Sequence, residues 1–493
     1  MNRPSLDALR GVPRRWLVRG ALALVVLALV APAAISGATF LVTSEDPTNL
    51  RASVDDPANG TTVISIQGFH FQGMANANKP ARLIAVGPRG EVQWVHNGSG
   101  FDARWFYDVD PLPDRNLLVT ATTPNATLVY EFDPQTRERV WTERLPIHDT
   151  HDVDLINGDQ LLVANMREPA HGDRIFVYNR TTDETVWEWE FAAHGYPESG
   201  GGGPKDWTHV NDVDKIADGE YLVSPRNFDQ VIVVNRSTDE VTMQLGSDGN
   251  HSVLYEQHNP QYLRGANGTP TVLVADSEND RIVEYARTGG NATAGGNATS
   301  TGNATTGGAA NGSAWTRTWS VGTRGLNWPR DADRLPNGNT LVVDTMHHRV
   351  VEVTPTGDVV WEFHAPWAPY DAERITYGDE AGGPTMRELG ATGDYDLSGS
   401  RLAVGGDTKT VSFWLAAAFE GTPVAAEANH AARLWAHVTP WIRPVWMSSW
   451  EFLGAVLAGG LVVVWGLGEA VYQRRRIRRG VSRVVSRVRR PAE

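Results

Sequence analysis

Asp331-Ala332-Asp333-Arg334-Leu335-Pro336-Asn337-Gly338-Asn339-Thr340-Leu341-Val342-Val343-Asp344 is the stretch that decides the fold. It reads as two short strands joined by Asn-Gly, a dipeptide suited to the left-handed backbone of a tight hairpin. A third strand, Arg349-Val350-Val351-Glu352-Val353, follows, and a fourth ends in Val360-Trp361. The same order recurs upstream. The hairpin has counterparts at residues 108–120, 152–164 and 212–224. The second strand pair begins again at Arg82, Leu128, Arg174, Val231 and Arg281, and most copies end in Val-Trp or Val-x-Trp, with Met243 replacing the tryptophan in the fourth. Four short strands in each of six repeats of roughly 45 residues describe an all-β fold, a six-bladed β-propeller. No Gly-His…Trp-Asp pairing recurs, which argues against the WD40 type. The first repeat lacks an inner strand before Thr61, and Gly393-Asp394-Tyr395-Asp396-Leu397 is expected to complete blade one and close the ring.

Two apolar segments flank the repeats. Residues 20–42 carry no charge and follow Arg3, Arg10, Arg14, Arg15 and Arg19. Residues 450–472 precede an arginine-rich tail, 473–493. Both are long enough to cross a bilayer, and arginine at both outer flanks places both termini in the cytoplasm and the large domain outside the cell. A cleaved signal peptide is the alternative for the first segment, given the small residues around Ala31. The expected organisation is a cytoplasmic N-terminus (1–19), a transmembrane helix or signal anchor (20–42), the propeller (60–407), a juxtamembrane segment (408–449), a second transmembrane helix (450–472) and the cytoplasmic tail. Every Asn-x-Ser/Thr glycosylation triplet, from Asn59 to Asn311, lies between the two apolar segments.

The net charge is −14, and both arginine-rich ends are positive, so the intervening stretch is more acidic than the whole. Lysine occurs only at Lys79, Lys205, Lys215 and Lys409. An acidic, lysine-poor surface suits high salt, as in a halophilic archaeon, and argues against nucleic acid as a partner. With no cysteine the chain has neither disulfides nor thiol chemistry.

Strand order separates the two faces of the propeller. Residues before the inner strand share a face with those between the second and third strands. Aligned on the inner strand, Tyr107, His151, Asn211, His258 and Arg330 fall at one position in successive blades, at the mouth of the central channel. His209, Arg226, Arg167, His347 and His348 belong to the same face. The Gly/Asn/Thr-rich insertion, residues 288–313, belongs to the opposite one and is expected to be disordered. A single polar residue at such a mouth commonly hydrogen-bonds a neighbouring blade; His151, His209, His258 and Arg226 together suggest chemistry. Ligands on separate blades, with no closely spaced histidine pair, argue against a metal, and no cofactor is expected. The Asp-x-Asp pairs (Asp108/Asp110, Asp152/Asp154, Asp212/Asp214, Asp331/Asp333) recur too regularly for catalysis and are read as satisfying backbone groups between blades. The Val-Trp series is read as core packing.

His151-Asp152-Val153, His209-Val210-Asn211-Asp212 with Ser224-Pro225-Arg226, and Gln257-His258 ahead of Leu273-Val274-Ala275-Asp276 together resemble the arylsulfotransferase family. The resemblance covers roughly residues 60–390. It implies transfer of a sulfuryl group from an aryl sulfate to a phenolic or alcohol acceptor, with no nucleotide donor. It also implies that His258 is the transient sulfohistidine nucleophile and that His151, His209 and Arg226 hold the sulfate oxygens. The chain departs from well-known bacterial members in lacking an N-terminal β-sandwich and a cysteine pair, and in having two apolar anchors. The chemistry suits the residues: cations around sulfur stabilise the developing charge, and neutral imidazole can attack it. A hydrolase would differ only in the acceptor, and a non-catalytic propeller binding an envelope ligand or partner protein remains the alternative.

Overall fold

A computed structural model of the chain describes residues 13–43, 49–68, 70–71, 74–75, 79–167, 172–204, 206–288, 314–323, 325–401 and 410–488. The chain divides into two compact units. One holds two helices, Arg14–Thr43 and Ser449–Val488, which pack together and share an Arg19–Glu469 ion pair (Nε to Oε1 2.7 Å). By length and composition both helices could cross a membrane.

The other unit is a six-bladed β-propeller. Its inner strands, in ring order, are Pro369–Arg374, Trp105–Pro111, Val153–Ile156, Val210–Ala217, His258–Arg264 and Pro329–Arg334. Each begins an antiparallel sheet running outward. Alternating apolar residues fill the gaps between neighbouring sheets. Between blades three and four, Leu162, Ile175 and Trp189 meet Val213, Tyr221 and Ile232. Removing that surface from water at roughly 25 cal/mol per Å2 is what holds blade to blade.

The ring closes differently from the sequence expectation. Pro369–Arg374 pairs with Thr62–Ile66 and supplies the inner strand of blade one. Gly393–Tyr395 instead lies parallel to the outermost strand of blade five, with Trp319 opposite Gly393. The sequence reason is plain in hindsight. Tyr370-Asp371-Ala372-Glu373-Arg374 repeats Arg330-Asp331-Ala332-Asp333-Arg334 nearly residue for residue, with glutamate for the second aspartate. A second latch comes from the N-terminal side, where Arg51–Val54 runs antiparallel outside Val359–His364 in blade six.

Trp319 and Trp361 are completely buried, as core packing requires. Trp94, Trp141 and Trp187 are half-buried and border the core clusters. They sit on outer strands where neighbouring blades splay apart, and Arg180 covers the Trp141 ring at 3.5 Å. Of the 288–313 insertion, all but Thr288 lies outside the described residues.

Candidate active site at the channel mouth

Inner strands carry bulges where they enter the channel. Pairing slips between Phe106 and Asp108, between Val210 and Val213, between His258 and Gln261, and between Pro329 and Asp331. Ile64 and Ile66 likewise face Ala372 and Pro369, leaving two residues opposite one. A bulge re-aims the side chain at the slip. The position preceding the first acidic residue, or preceding Asn259 in blade five, therefore holds, blade by blade, Tyr370, Tyr107, His151, Asn211, His258 and Arg330. Five of these were legible from the repeat. Tyr370 was missed because its strand was not recognised.

His258 is 1% exposed. Its Nδ1 lies 2.8 Å from Ser277 Oγ, and that hydroxyl lies 2.6 Å from the Pro329 carbonyl oxygen. The carbonyl can only accept, so the single hydroxyl proton goes there. Ser277 Oγ must then accept from His258 Nδ1–H, which leaves the imidazole lone pair on Nε2. Nε2 is the buried atom of this ring with no hydrogen-bond partner. Burial, reinforced by Arg330 and Arg226, holds the His258 pKa well below the ordinary histidine value. The ring is neutral with one free lone pair.

His209 is fixed from both sides. Asp206 Oδ1 lies 2.8 Å from its Nδ1, and Arg226 Nη1 lies 3.1 Å from its Nε2. Arg167 Nη2 also lies 3.1 Å from Nδ1, but the Asp206 carboxylate can only accept and is nearer, so the proton is on Nδ1 and Nε2 accepts from Arg226. Burial, then Arg226, pushes the His209 pKa down to about 3. Arg226 also meets Glu256 at 3.1 Å. Arg167, from the same face, bonds Asp206 (Nε to Oδ1 2.8 Å) and pairs with Asp149. Burial pushes Asp206 up, but hydrogen bonds from His209 and Arg167 outweigh it and hold it below the ordinary carboxylate range.

His151 lies beside His209, ring centroids 5.0 Å apart, and its Nδ1 shares a 2.9 Å hydrogen bond with Tyr370 Oη. The Tyr370 ring is also 5.9 Å from His258 and 4.9 Å from Tyr107. Tyr107 donates to Asp149 at 2.8 Å. Burial, then His209, keeps His151 well below the ordinary histidine pKa. His151, His209, His258 and Arg226 thus surround one mouth. His347 and His348 do not join them: His347 binds Asp344 at 2.8 Å, and His348 bridges the Pro440 carbonyl and the Ala368 N–H, both at 3.1 Å.

Residues 411–442, within the expected juxtamembrane segment, form helices Val411–Ala418 and Ala425–Ile442. The second lies on the histidine face. Asn327 donates to the Ala436 carbonyl at 3.1 Å, and the His437 ring stacks on Trp328, 6.1 Å between centroids. Trp328 in turn meets the His258 ring edge-on at 6.2 Å.

Deeper in the channel the acidic pairs line a cavity of about 40 Å3 with Asp371, Glu373, Asp379 and Glu380. Asp152 and Asp154 accept from Val213 N–H and Lys215 N–H of the next blade, Asp331 from Ala372 N–H and Asp371 from Val109 N–H. The pairs therefore stitch inner strands together. Burial raises every one of these carboxyl groups.

Two family models, both described as Arylsulfotransferase (ASST), match residues 62–263 and 198–365. Between them they span 62–365, more than half of the chain. The two matches support membership of the arylsulfotransferase family. Membership supports a sulfotransferase enzyme and implies aryl sulfate donor and acceptor substrates. No match was found among curated proteins. Among solved structures, the chain is similar to a protein of unknown function from Bacteroides caccae, at 13% identity and TM-score 0.40 over 64% of this chain and 98% of that one. It is similar to a putative 6-phosphogluconolactonase from Bacteroides fragilis, at 12% identity and TM-score 0.38 over 66% and 86%. It is also similar to a virginiamycin B lyase from Staphylococcus aureus, at 8% identity and TM-score 0.35 over 64% and 89%.

Proposed function

We propose that this arylsulfotransferase-family chain moves a sulfuryl group from an aryl sulfate to a phenol or alcohol through a sulfohistidine at His258. The observation that carries the reading is the buried, neutral His258 with its Nε2 lone pair free and its Nδ1 proton held by Ser277. Nε2 attacks sulfur, the sulfur–oxygen bond to the aryl group breaks, and the phenolate leaves with the bond's electron pair. The acceptor oxygen then attacks the same sulfur, its proton passes to the released phenolate or to water, and it displaces Nε2, which regains its lone pair. Arg226, set in place by His209 and Glu256, donates to the sulfuryl oxygens, where charge accumulates in both steps. His151, tied to Tyr370, completes the cradle.

We further propose that the two terminal helices anchor the enzyme in a membrane, with both ends cytoplasmic and the propeller outside. Arginine at both outer flanks supports that orientation, because such flanks stay on the cytoplasmic side. The catalytic reading is tested with the full chain in high salt and a chromogenic aryl sulfate. Phenol release should accelerate when a second phenol is added, and the second phenol should emerge sulfated. Release insensitive to any acceptor, with free sulfate as product, would make it a hydrolase; no release from a panel of aryl sulfates would leave a binding propeller.

A further inference from the structure

Arg330 differs from three other buried arginines of the propeller. It is 7% exposed and starts the inner strand of blade six, beside His258 in the ring. Arg334, Arg349 and Arg374, more deeply buried in the same propeller, each lie on a carboxylate: Glu284 at 3.0 Å, Asp344 at 2.7 Å and Glu352 at 2.8 Å. At the mouth Arg226 has Glu256, and Arg167 has Asp149 and Asp206. Among the described residues Arg330 has no ion-pair partner. Its Nη1 donates to Gln67 Oε1 at 2.7 Å, and its guanidinium lies 4.3 Å from the Trp328 ring centroid and 4.8 Å from that of Tyr370. Its Nε is buried with no partner.

A guanidinium does not shed its proton in a protein, so this site carries a permanent buried charge. Burying a charge without a counter-charge is strongly unfavourable. Aromatic faces offset part of that, because their quadrupoles present negative charge to the cation. The remainder calls for an anion from outside. The charge balance then says which anion. The three histidines are neutral, and Arg226, Arg167 and Arg330 are balanced in number by Glu256, Asp149 and Asp206, but of the three arginines Arg330 alone touches no carboxylate among the described residues. Farther down the channel burial raises the pKa of Asp154 to about 8 and of Asp333 to about 7, so both ionise as pH rises toward 9, and there surplus negative charge at the mouth meets repulsion rather than relief.

We infer that Arg330, the mouth arginine in contact with no carboxylate, is the seat of the substrate's anionic group, and that a mouth already balanced in charge selects monoanionic sulfate esters over phosphate monoesters, which are largely dianionic above pH 7. This rests on the sulfuryl-transfer reading above and names the group that discriminates within it. Trp328 and Tyr370, flanking the guanidinium, would hold it against the channel wall and offer faces to the aryl ring.

The test uses unreactive mimics, so it does not depend on turnover. Benzylsulfonate carries one negative charge, and benzylphosphonate carries two at pH 9. Calorimetric titration of the full chain at fixed salt should show benzylsulfonate binding and benzylphosphonate binding at least tenfold more weakly. Arg330→Gln should weaken benzylsulfonate roughly ten- to a hundredfold, the range of a lost charged hydrogen bond, and Arg330→Lys should recover part of it by restoring charge. Glu256→Gln, which frees Arg226, should narrow the gap between the two mimics. Equal binding of both mimics by the unaltered chain would overturn the inference, as would benzylsulfonate binding unchanged in a folded Arg330→Gln protein. Mimic binding in the expected order together with no transfer from any aryl sulfate would sink the catalytic reading and leave the anion seat standing.

Discussion

At His258 the protonation pattern follows from neighbours that have no choice. A carbonyl cannot donate, so Ser277 must give its proton to Pro329 and accept from the imidazole. Ser277→Ala removes that constraint and should lower kcat about tenfold, the worth of one hydrogen bond of ~1.4 kcal/mol, with little change in KM. Because burial holds the His258 pKa far below 6.5, its nucleophilic form persists on the acid side of that value. The kcat/KM profile should therefore stay flat from pH 8 down through 6.5, measured with an aryl sulfate whose charge does not change over that range. A tenfold fall centred near pH 6.5 would mean a solvated histidine. Arg226→Gln should cost roughly a hundred- to a thousandfold in kcat, as loss of one donor to developing charge does. That His151, His209, His258 and Arg226 share one mouth could be read from sequence, because the repeat put His151 and His258 at one position and strand order put His209 and Arg226 on the same face. Ser277, Asp206 and Glu256 could not. Their roles depend on hydrogen bonds between loops of separate blades, which no local pattern encodes.

Single elements explain both the success of the repeat reading and its error. Turn chemistry and strand alternation act within some 45 residues, so the Asn337-Gly338 hairpin and its counterparts declared the blades. Ring closure is a long-range choice between candidate strands with similar local character, and Gly393–Tyr395 was the wrong one. Tyr370-Asp371-Ala372-Glu373 had the better claim, since its acidic side chains continue the stitching of inner strands, as Asp371 does on Val109 N–H. The tryptophan series also divides at this level. Trp319 is fully buried between blades and donates to the Pro355 carbonyl at 2.8 Å. Trp319→Ala should destabilise the propeller by about 3–5 kcal/mol, read by denaturant unfolding of the full chain. Trp141→Ala, on a half-buried outer strand, should cost less than half as much. Equal losses would mean that the outer strands bear on stability as heavily as the blade interfaces.

For the molecule as a whole, the channel concentrates carboxyl groups that the fold keeps partly protonated. Burial pushes Asp154 up to about 8 and Asp333 to about 7, against 3.8 for an ordinary aspartate. The folded chain thus holds protons that the unfolded chain has released. This contribution to stability is complete below pH 4 and is lost as pH rises through 8. The buried neutral histidines work in the opposite direction, but only below 6.5. Between pH 7 and 9 the carboxyl groups decide the sign, and Tm in low salt should fall across that range. Asp154→Asn should flatten the fall, and concentrated salt should raise Tm most at pH 9. A Tm rising from pH 7 to 9 in low salt would contradict the assignment of raised carboxyl pKa values. The acidic bias was visible in composition; its concentration into a channel behind the histidine mouth was not, because it arises only when six inner strands are set around one axis.

The central claim is covalent, and it is tested most directly by mixing the full chain with a chromogenic aryl sulfate in the absence of any acceptor. The account predicts a burst of one phenol per protein molecule, and a sulfuryl group located by peptide mass on His258. Adding phenol should discharge it, and His258→Ala should show neither burst nor adduct. A burst with the sulfuryl group on another residue, or acceptor-stimulated turnover that survives in His258→Ala, would contradict it.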